Sequence, residues 1–364
     1  MNDYAQQLER KRQRLSQLLA PFQAPALEVY ESAPLNCRLR AEFRIWHEGE
    51  DCCYAMFEPG QKASSKSLIR IEQLPIASRA INELMPPLLD ALKSKELTRK
   101  RLYQIEFLST LSGDMLVTLI YHKKLDDDWR TAAAQLQEQL GIAIIGRSRK
   151  QKCVLSRDYV LEQFTVAQRH YEYQQLEGGF TQPNGAMCEI MLNWASDCAK
   201  TMQARGDLLE LYCGNGNFTL PLSRHFRRVL ATEVAKTSVY AAEWNIQRNA
   251  CDNITVIRLS SEELTQALNG EREFRRLQQK AIELDQYDFD AVFVDPPRSG
   301  MDVNTCQLTA RFEHILYISC NPETLARDLA LLCETHRIER AALFDQFPQT
   351  DHIEAGVWLK RQGA

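Results

Sequence analysis

Apolar and polar residues alternate along this chain in two distinct rhythms, one in each half. Roughly the first 30 residues mix charges with apolar positions at helical spacing, which predicts an amphipathic helix stopped near Pro21. Strand-like runs follow at 37–46, 52–57, 68–71, 102–108 and 115–121, with helical stretches at 76–92 and 129–140 between them. That mixture predicts a mixed α/β sheet domain. A further apolar run at 142–145 and the charged 147–152 lead toward a break at 165–180, so the expected domains are 1–170 and 171–364.

From 207 onward the rhythm is regular. Short apolar runs at 208–212, 228–232, 254–259, 291–294, 315–319, 341–344 and 355–359 alternate with helical segments, which predicts a doubly wound, mostly parallel sheet of seven strands. Such sheets bind ligands beyond the carboxyl ends of their strands. The polar motifs of this half all fall at strand ends.

After the first of these strands comes Cys213-Gly-Asn-Gly-Asn217, whose glycines permit a tight turn and close approach of a ligand to the backbone. It is no Walker loop, and the third glycine of a dinucleotide fingerprint is missing, with Leu220 nearest that place. Glu233 ends the next strand, where a carboxylate can accept bonds from ribose hydroxyls. Nucleoside binding fits this pair, and an NAD-dependent oxidoreductase is the alternative from another class.

Asp295-Pro-Pro-Arg-Ser-Gly300 ends a strand rigidly and presents Asp295 at the crevice. Arg298 stands where an exocyclic-amine methylating enzyme would carry an aromatic residue. Ser319-Cys320-Asn321-Pro322 sets a cysteine at a strand tip before a helix, whose N-terminal amides favour the thiolate. A buried structural thiol is the competing reading for Cys320. Glu354 enters the last apolar run and is read equally as a solvated edge residue or a positioned base.

Composition narrows the setting. The 364 residues are 45% apolar, and no run approaches the ~18 apolar residues of a membrane span. With no secretory leader pattern, a cytoplasmic protein is expected. Among 11 cysteines there is no Cys-x-x-Cys pair, which points away from a metal, an iron–sulfur cluster or a disulfide framework. Net charge is −4, with 24 Lys and Arg against 20 Asp and Glu over 1–160, and 20 against 28 over 161–364. That asymmetry is only a weak pointer to a polyanion held by the first half.

Taken together, these motifs resemble the RNA uracil-5-methyltransferases, on the branch that acts on tRNA. The resemblance rests on Phe180-Thr-Gln-Pro-Asn184, Leu209-Glu-Leu-Tyr-Cys-Gly-Asn-Gly-Asn-Phe218, Asp295–Gly300, Ser319–Glu323 and His352-Ile-Glu354. In the first half, Arg40-Ala-Glu-Phe-Arg-Ile-Trp46 and Tyr121-His-Lys-Lys-Leu-Asp126 also match it. It implies a Rossmann-like class I methyltransferase domain after an N-terminal RNA-binding domain, with S-adenosylmethionine as cofactor. It implies Gln182, Tyr212, Asn217, Glu233 and Asp295 at the cofactor, Cys320 as nucleophile and Glu354 as base. Arg44, Tyr103 and His122 fall where that branch contacts RNA. The implied reaction is methylation of uridine 54 in the T loop of tRNA to 5-methyluridine, through a covalent bond from Cys320 to C6. The substrate range would extend to transfer-messenger RNA, with ribosomal RNA as the alternative substrate and a monomer as the expected state.

Overall fold

A computed structural model describes residues 2–58, 60, 62 and 64–363. The chain forms two compact units. One comprises the described residues of 1–32, 164–173 and 186–364, and the other those of 33–163 and 174–185.

The first unit is built on an eight-stranded sheet. Its strands are β1 (Glu28–Tyr30), which stands alone early in the chain, and the seven of the second half. The small unit and the hairpin supply the strands between, β2 (Arg40–Glu48), β3 (Asp51–Phe57), β4 (Leu68–Ile71), β5 (Leu102–Ser109), β6 (Met115–Tyr121), β7 (Ala143–Ser148), β8 (Gln151–Val154), β9 (Tyr159–Val166) and β10 (Arg169–Leu176). The seven are β11 (Asp207–Leu211), β12 (Val229–Thr232), β13 (Ile254–Ile257), β14 (Phe289–Val294), β15 (His314–Ser319), β16 (His336–Phe344) and β17 (Glu354–Arg361). The order across the sheet is β1-β16-β17-β15-β14-β11-β12-β13.

Both faces of this sheet are covered, which is why its strands read as largely apolar runs. Successive side chains leave on opposite sides. Leu208, Leu316 and Ile318 pack with Met191, Ala195 and Ala242 from helices Gly185–Met202 and Lys236–Arg248. Leu209, Leu211, Ile315 and Tyr317 pack on the other side with Leu325 and Leu329 of helix Pro322–Leu332. Leu8, Leu15 and Leu19 of helix Asn2–Leu19 join that same cluster. All neighbouring strands are parallel except that β17 runs against both β15 and β16. The start of β17 therefore lies at the edge where β14 and β15 end.

The second unit has a seven-stranded sheet ordered β4-β3-β2-β5-β6-β7-β8. It is antiparallel except for β6 and β7, which helix Asp127–Leu140 connects. Ile81, Met85, Leu88 and Leu92, at three- and four-residue steps, face its core from helix Arg79–Lys93.

Two features differ from the sequence expectation. A single break near residue 170 does not describe the division, because residues 1–32 belong with the second half: β1 pairs in parallel with β16, and Leu8, Leu15 and Leu19 are buried in its core. The region read as a boundary is instead the hairpin β9–β10, along which the chain runs from one unit into the other. Its turn uses Ala167 (φ 47°) and Gln168 (φ 64°), left-handed positions that glycine or asparagine usually fill.

Candidate active site

The carboxyl edge of the large sheet gathers polar groups in the order of its strands. Cys320 follows β15, Asp295 follows β14, Tyr212 follows β11 and Glu233 follows β12. Glu354 opens the antiparallel β17. Ser319 pairs with Ala355, so Cys320 and Glu354 are the next residues at the tips of adjacent strands, which lie ~4.8 Å apart in any sheet.

The turn after β11 is tightly wound, with Tyr212 (φ 62°), Gly214 (φ 56°) and Gly216 (φ 83°) all left-handed. For Tyr212 this conformation is costly, as is common where a backbone is shaped for a ligand. Its hydroxyl bonds Ser261 Oγ at 2.8 Å. Nothing lies within 4 Å of where a side chain at Gly214 would begin, whereas one at Gly216 would press on Leu220 at 3.1 Å. The backbone at Gly214 is thus open to a ligand. Glu233 is fixed by three amides, from Gly214 (3.0 Å), Val234 (2.7 Å) and Ala235 (2.7 Å). Asn217 donates to Cys188 Sγ at 3.2 Å, and its carbonyl accepts from Tyr173.

The two catalytic-side turns are tied to each other. The Arg298 carbonyl accepts from Asn321 Nδ2 at 2.9 Å and from Thr324 Oγ1 at 3.3 Å. Gly300 (φ 72°) admits no side chain, since one would meet Arg327 Nη2 at 2.5 Å and Asp328 Oδ2 at 2.8 Å. Arg327 in turn holds the carbonyls of Ser299 and Met301.

Electrostatics mark this corner. Glu354 is 2% exposed, and burial first, then the charge of Asp295, raises its pKa well above the carboxylate range, with Arg298 opposing. Burial pushes Asp295 up to about 7. Cys320 is half-buried, and its thiol is pushed up to about 11 by burial, then by Glu354 and Asp295, against a lowering by Arg298. The expected thiolate is therefore corrected. The helix that starts at Pro322 does not offset burial beside two carboxyl groups, which together push the thiol upward.

This gives a direct check. Thiolate, not thiol, is alkylated, so iodoacetamide should modify Cys320 faster as pH rises toward 11, read by peptide mapping. Asp295→Asn should speed the reaction at pH 9 and Arg298→Gln should slow it, each by about two- to tenfold. Equal rates in both variants would contradict this picture of the charges.

Two participants escape the sequence reading. Arg298 served there only to argue against amine methylation, yet it is the cation that acts on both Cys320 and Glu354. Glu210 interrupts an apolar strand, and that interruption was a visible signal. It is 1% exposed, and neither its Oε2 nor Thr219 Oγ1 has a hydrogen-bond partner among the described residues. Burial pushes it up to about 8, with Asp295 adding to the rise. A carboxyl raised this way favours the fold below its unfolded pKa and loses that contribution as pH climbs through 8. Glu210→Gln should therefore gain stability relative to the parent between pH 5 and pH 9, by on the order of 4 kcal/mol in urea melts. A pH-independent difference would refute the shift.

Gln182 is half-buried in the 174–185 segment of the second unit. On that unit's sheet, Arg44, Tyr103 and His122 form one stack. The Arg44 guanidinium lies 3.9 Å from the Tyr103 ring centre, and the Tyr103 and His122 rings are 4.0 Å apart at 25°. Arg44 and His122 are exposed and Tyr103 half-buried, so the tyrosine lies outside the core. Among the described residues no helix is long and apolar enough to cross a membrane, and no cluster of three or more His, Cys, Asp or Glu could hold a metal ion.

An open glycine turn after the first strand, a carboxylate closing the second and a last strand running backwards define a Rossmann-like α/β domain with a ligand crevice at its strand ends. The family model for tRNA (uracil-5-)-methyltransferase matches residues 3–362, and the chain belongs to that family. It is 58% identical over 362 residues to the tRNA/tmRNA (uracil-C(5))-methyltransferase of Neisseria meningitidis serogroup B, covering 100% of this chain and 99% of that protein. It is 56% identical over 357 residues to the protein so named from Acinetobacter baylyi, covering 98% of each. The fold is similar to the crystal structure of Pyrococcus abyssi tRNA (uracil-54, C5)-methyltransferase in complex with S-adenosyl-L-homocysteine. That match has a TM-score of 0.72 at 20% identity, over 98% of this chain and 83% of that one. Family membership displaces the oxidoreductase alternative.

Proposed function

We propose that the protein methylates C5 of a uridine in the T loop of tRNA, position 54, and the equivalent uridine of transfer-messenger RNA. The observation that carries this reading is the placement of Cys320 and Glu354 on adjacent strand tips beside Asp295. The names of the relatives support the RNA substrates.

Uracil C5 is too weak a nucleophile to be methylated unaided. Addition of Cys320 Sγ to C6 forms the S–C6 bond and moves the C5–C6 π electrons through the ring toward the C4 oxygen, leaving C5 nucleophilic. The thiol proton must first leave Sγ to solvent, because Glu354 has to stay ionised for the later step. Arg298 offsets the negative charge that then accumulates. Tyr212, Asn217, Glu233 and Asp295 would hold S-adenosylmethionine, which supplies an electrophilic methyl group when bound. Glu354 then takes the proton from C5, the electrons re-form the C5–C6 double bond, and the S–C6 bond breaks to release Cys320.

The Arg44–Tyr103–His122 stack presents a cation and two rings of the kind on which unstacked bases settle. We assign it to RNA contact, and its unit to RNA binding. Our reading is a monomer in the cytoplasm, supported by Cys320, Glu354 and Asp295 all coming from one chain and by an RNA substrate. Purified protein given labelled S-adenosylmethionine with tRNA, transfer-messenger RNA or ribosomal RNA should label the first two, with 5-methyluridine as the product on nucleoside analysis. Label in ribosomal RNA alone would overturn the substrate, and a product other than 5-methyluridine would overturn the reaction.

A further inference from the structure

Helix Asn2–Leu19 carries a polar stripe that core packing alone does not require. Tyr4, Gln7, Lys11 and Arg14 recur at three- and four-residue steps and so share one face. All four reach segments that flank the catalytic strand tips. Lys11, 3% exposed, donates to Asp345 Oδ1 at 2.7 Å and to the Phe347 carbonyl at 2.9 Å. Asp345 is fully buried, and its other oxygen accepts from Tyr4 at 2.8 Å. Gln7, 6% exposed, grips the main chain in both directions, donating to the Thr350 carbonyl and accepting from the Gln349 amide at 2.9 Å. Arg14 pairs with Glu323, in the first turn of the helix that follows Cys320.

The gripped segment, 345–353, is the connection that delivers Glu354 to the start of β17. It is not relaxed on its own account, because Gln349 is left-handed at φ 62°. Such a conformation persists where surrounding contacts over-determine it, and Gln7 supplies one at that residue's amide. Ile353, next to the base, is 1% exposed and lies in the same apolar cluster as Leu8 and Leu15. A buried ion pair and a two-way amide grip on one short connection are costly ways merely to bury a helix.

We propose that the N-terminal helix is a clasp that sets the placement of Glu354, with Gln7 and Lys11 as positioning residues for removal of the C5 proton. The proposal rests on the assignment of Glu354 as base. In the intact protein, Gln7→Met keeps the side chain's length and removes both bonds to the loop, while Lys11→Met also breaks the ion pair. Arg12→Ala, which disrupts an exposed pair with Glu9, is the control. With T-arm RNA and S-adenosylmethionine, Gln7→Met should transfer methyl at the parental single-turnover rate but release the covalent adduct about tenfold more slowly. The denaturation-resistant adduct then accumulates, and hydrogen exchange of amides 345–353 rises while that of 315–319 is unchanged. Lys11→Met should show the same pattern, and Arg12→Ala neither effect. If Lys11→Met fails to fold, Gln7→Met decides the matter alone. Parental adduct release with unchanged exchange in Gln7→Met overturns the clasp, as does equal slowing of methyl transfer and release. Absence of adduct in Glu354→Gln instead rejects the base assignment, and the exchange measurement judges the clasp independently of it.

Discussion

Cys320→Ala is expected to abolish both methylated product and covalent RNA adduct, a loss of at least about 10⁴-fold in turnover. No other described cysteine has the same setting: Cys320 alone follows a strand at the edge where Asp295 and Glu354 meet. Cys306 and Cys213 are buried with thiols pushed strongly upward, and they belong to the packed clusters on the two faces of the sheet. Alanine at 320 removes a half-buried sulfur at a strand tip, so folding should survive and the loss can be read as chemistry. Binding of S-adenosylmethionine should persist, since Cys320 is not among its expected contacts. The check is single-turnover transfer of labelled methyl to a T-arm RNA, with equilibrium dialysis of the cofactor alongside. Residual methylation of uridine within tenfold of the parent would remove the nucleophile from Cys320.

Glu354→Gln is expected to have the second largest effect, of a different kind. The variant keeps the shape of the side chain and loses the ability to take a proton, which costs about 10²–10⁴-fold in turnover. Addition and methyl transfer precede that step, so they should continue while release stalls. The protein then converts itself into a stable conjugate with RNA, visible on a denaturing gel in stoichiometric amount. The raised pKa of Glu354 sets the pH dependence. As a base it must be ionised, and burial with Asp295 nearby raises its pKa, so release by the parent should accelerate as pH rises from 6 and level off only above the ordinary carboxylate range. A turnover profile already flat at pH 5 would contradict this.

The regularity of the second half makes its seven strands and the strand-end placement of Tyr212, Glu233, Asp295 and Cys320 legible in the sequence. Continuous apolar runs bounded by Gly and Pro leave little freedom in such a sheet. What was hidden depends on partners remote in sequence. β1 is three residues long and is a strand only because β16 receives it. The helix at the N-terminus showed its amphipathic rhythm, but nothing in the sequence joins Lys11 to Asp345, its buried partner 334 positions away. The hairpin at 159–176 escaped because Ala167 and Gln168 carry no turn signature. Cys320 sits before a helix, and the sequence argued for a thiolate. Glu354 and Asp295, which with burial push the thiol upward, arrive from other strands.

The most direct measurement is the identity of the cross-link. Glu354→Gln incubated with S-adenosylmethionine and T-arm RNA, then digested with nuclease and protease, should yield one modified peptide by mass spectrometry. Its mass should equal the Cys320 peptide plus a nucleotide plus one methyl group, with fragmentation placing the nucleotide on sulfur. A nucleotide on any other residue, or a methylated RNA product released in full with no cross-linked peptide, would contradict the covalent cycle of Cys320 and Glu354.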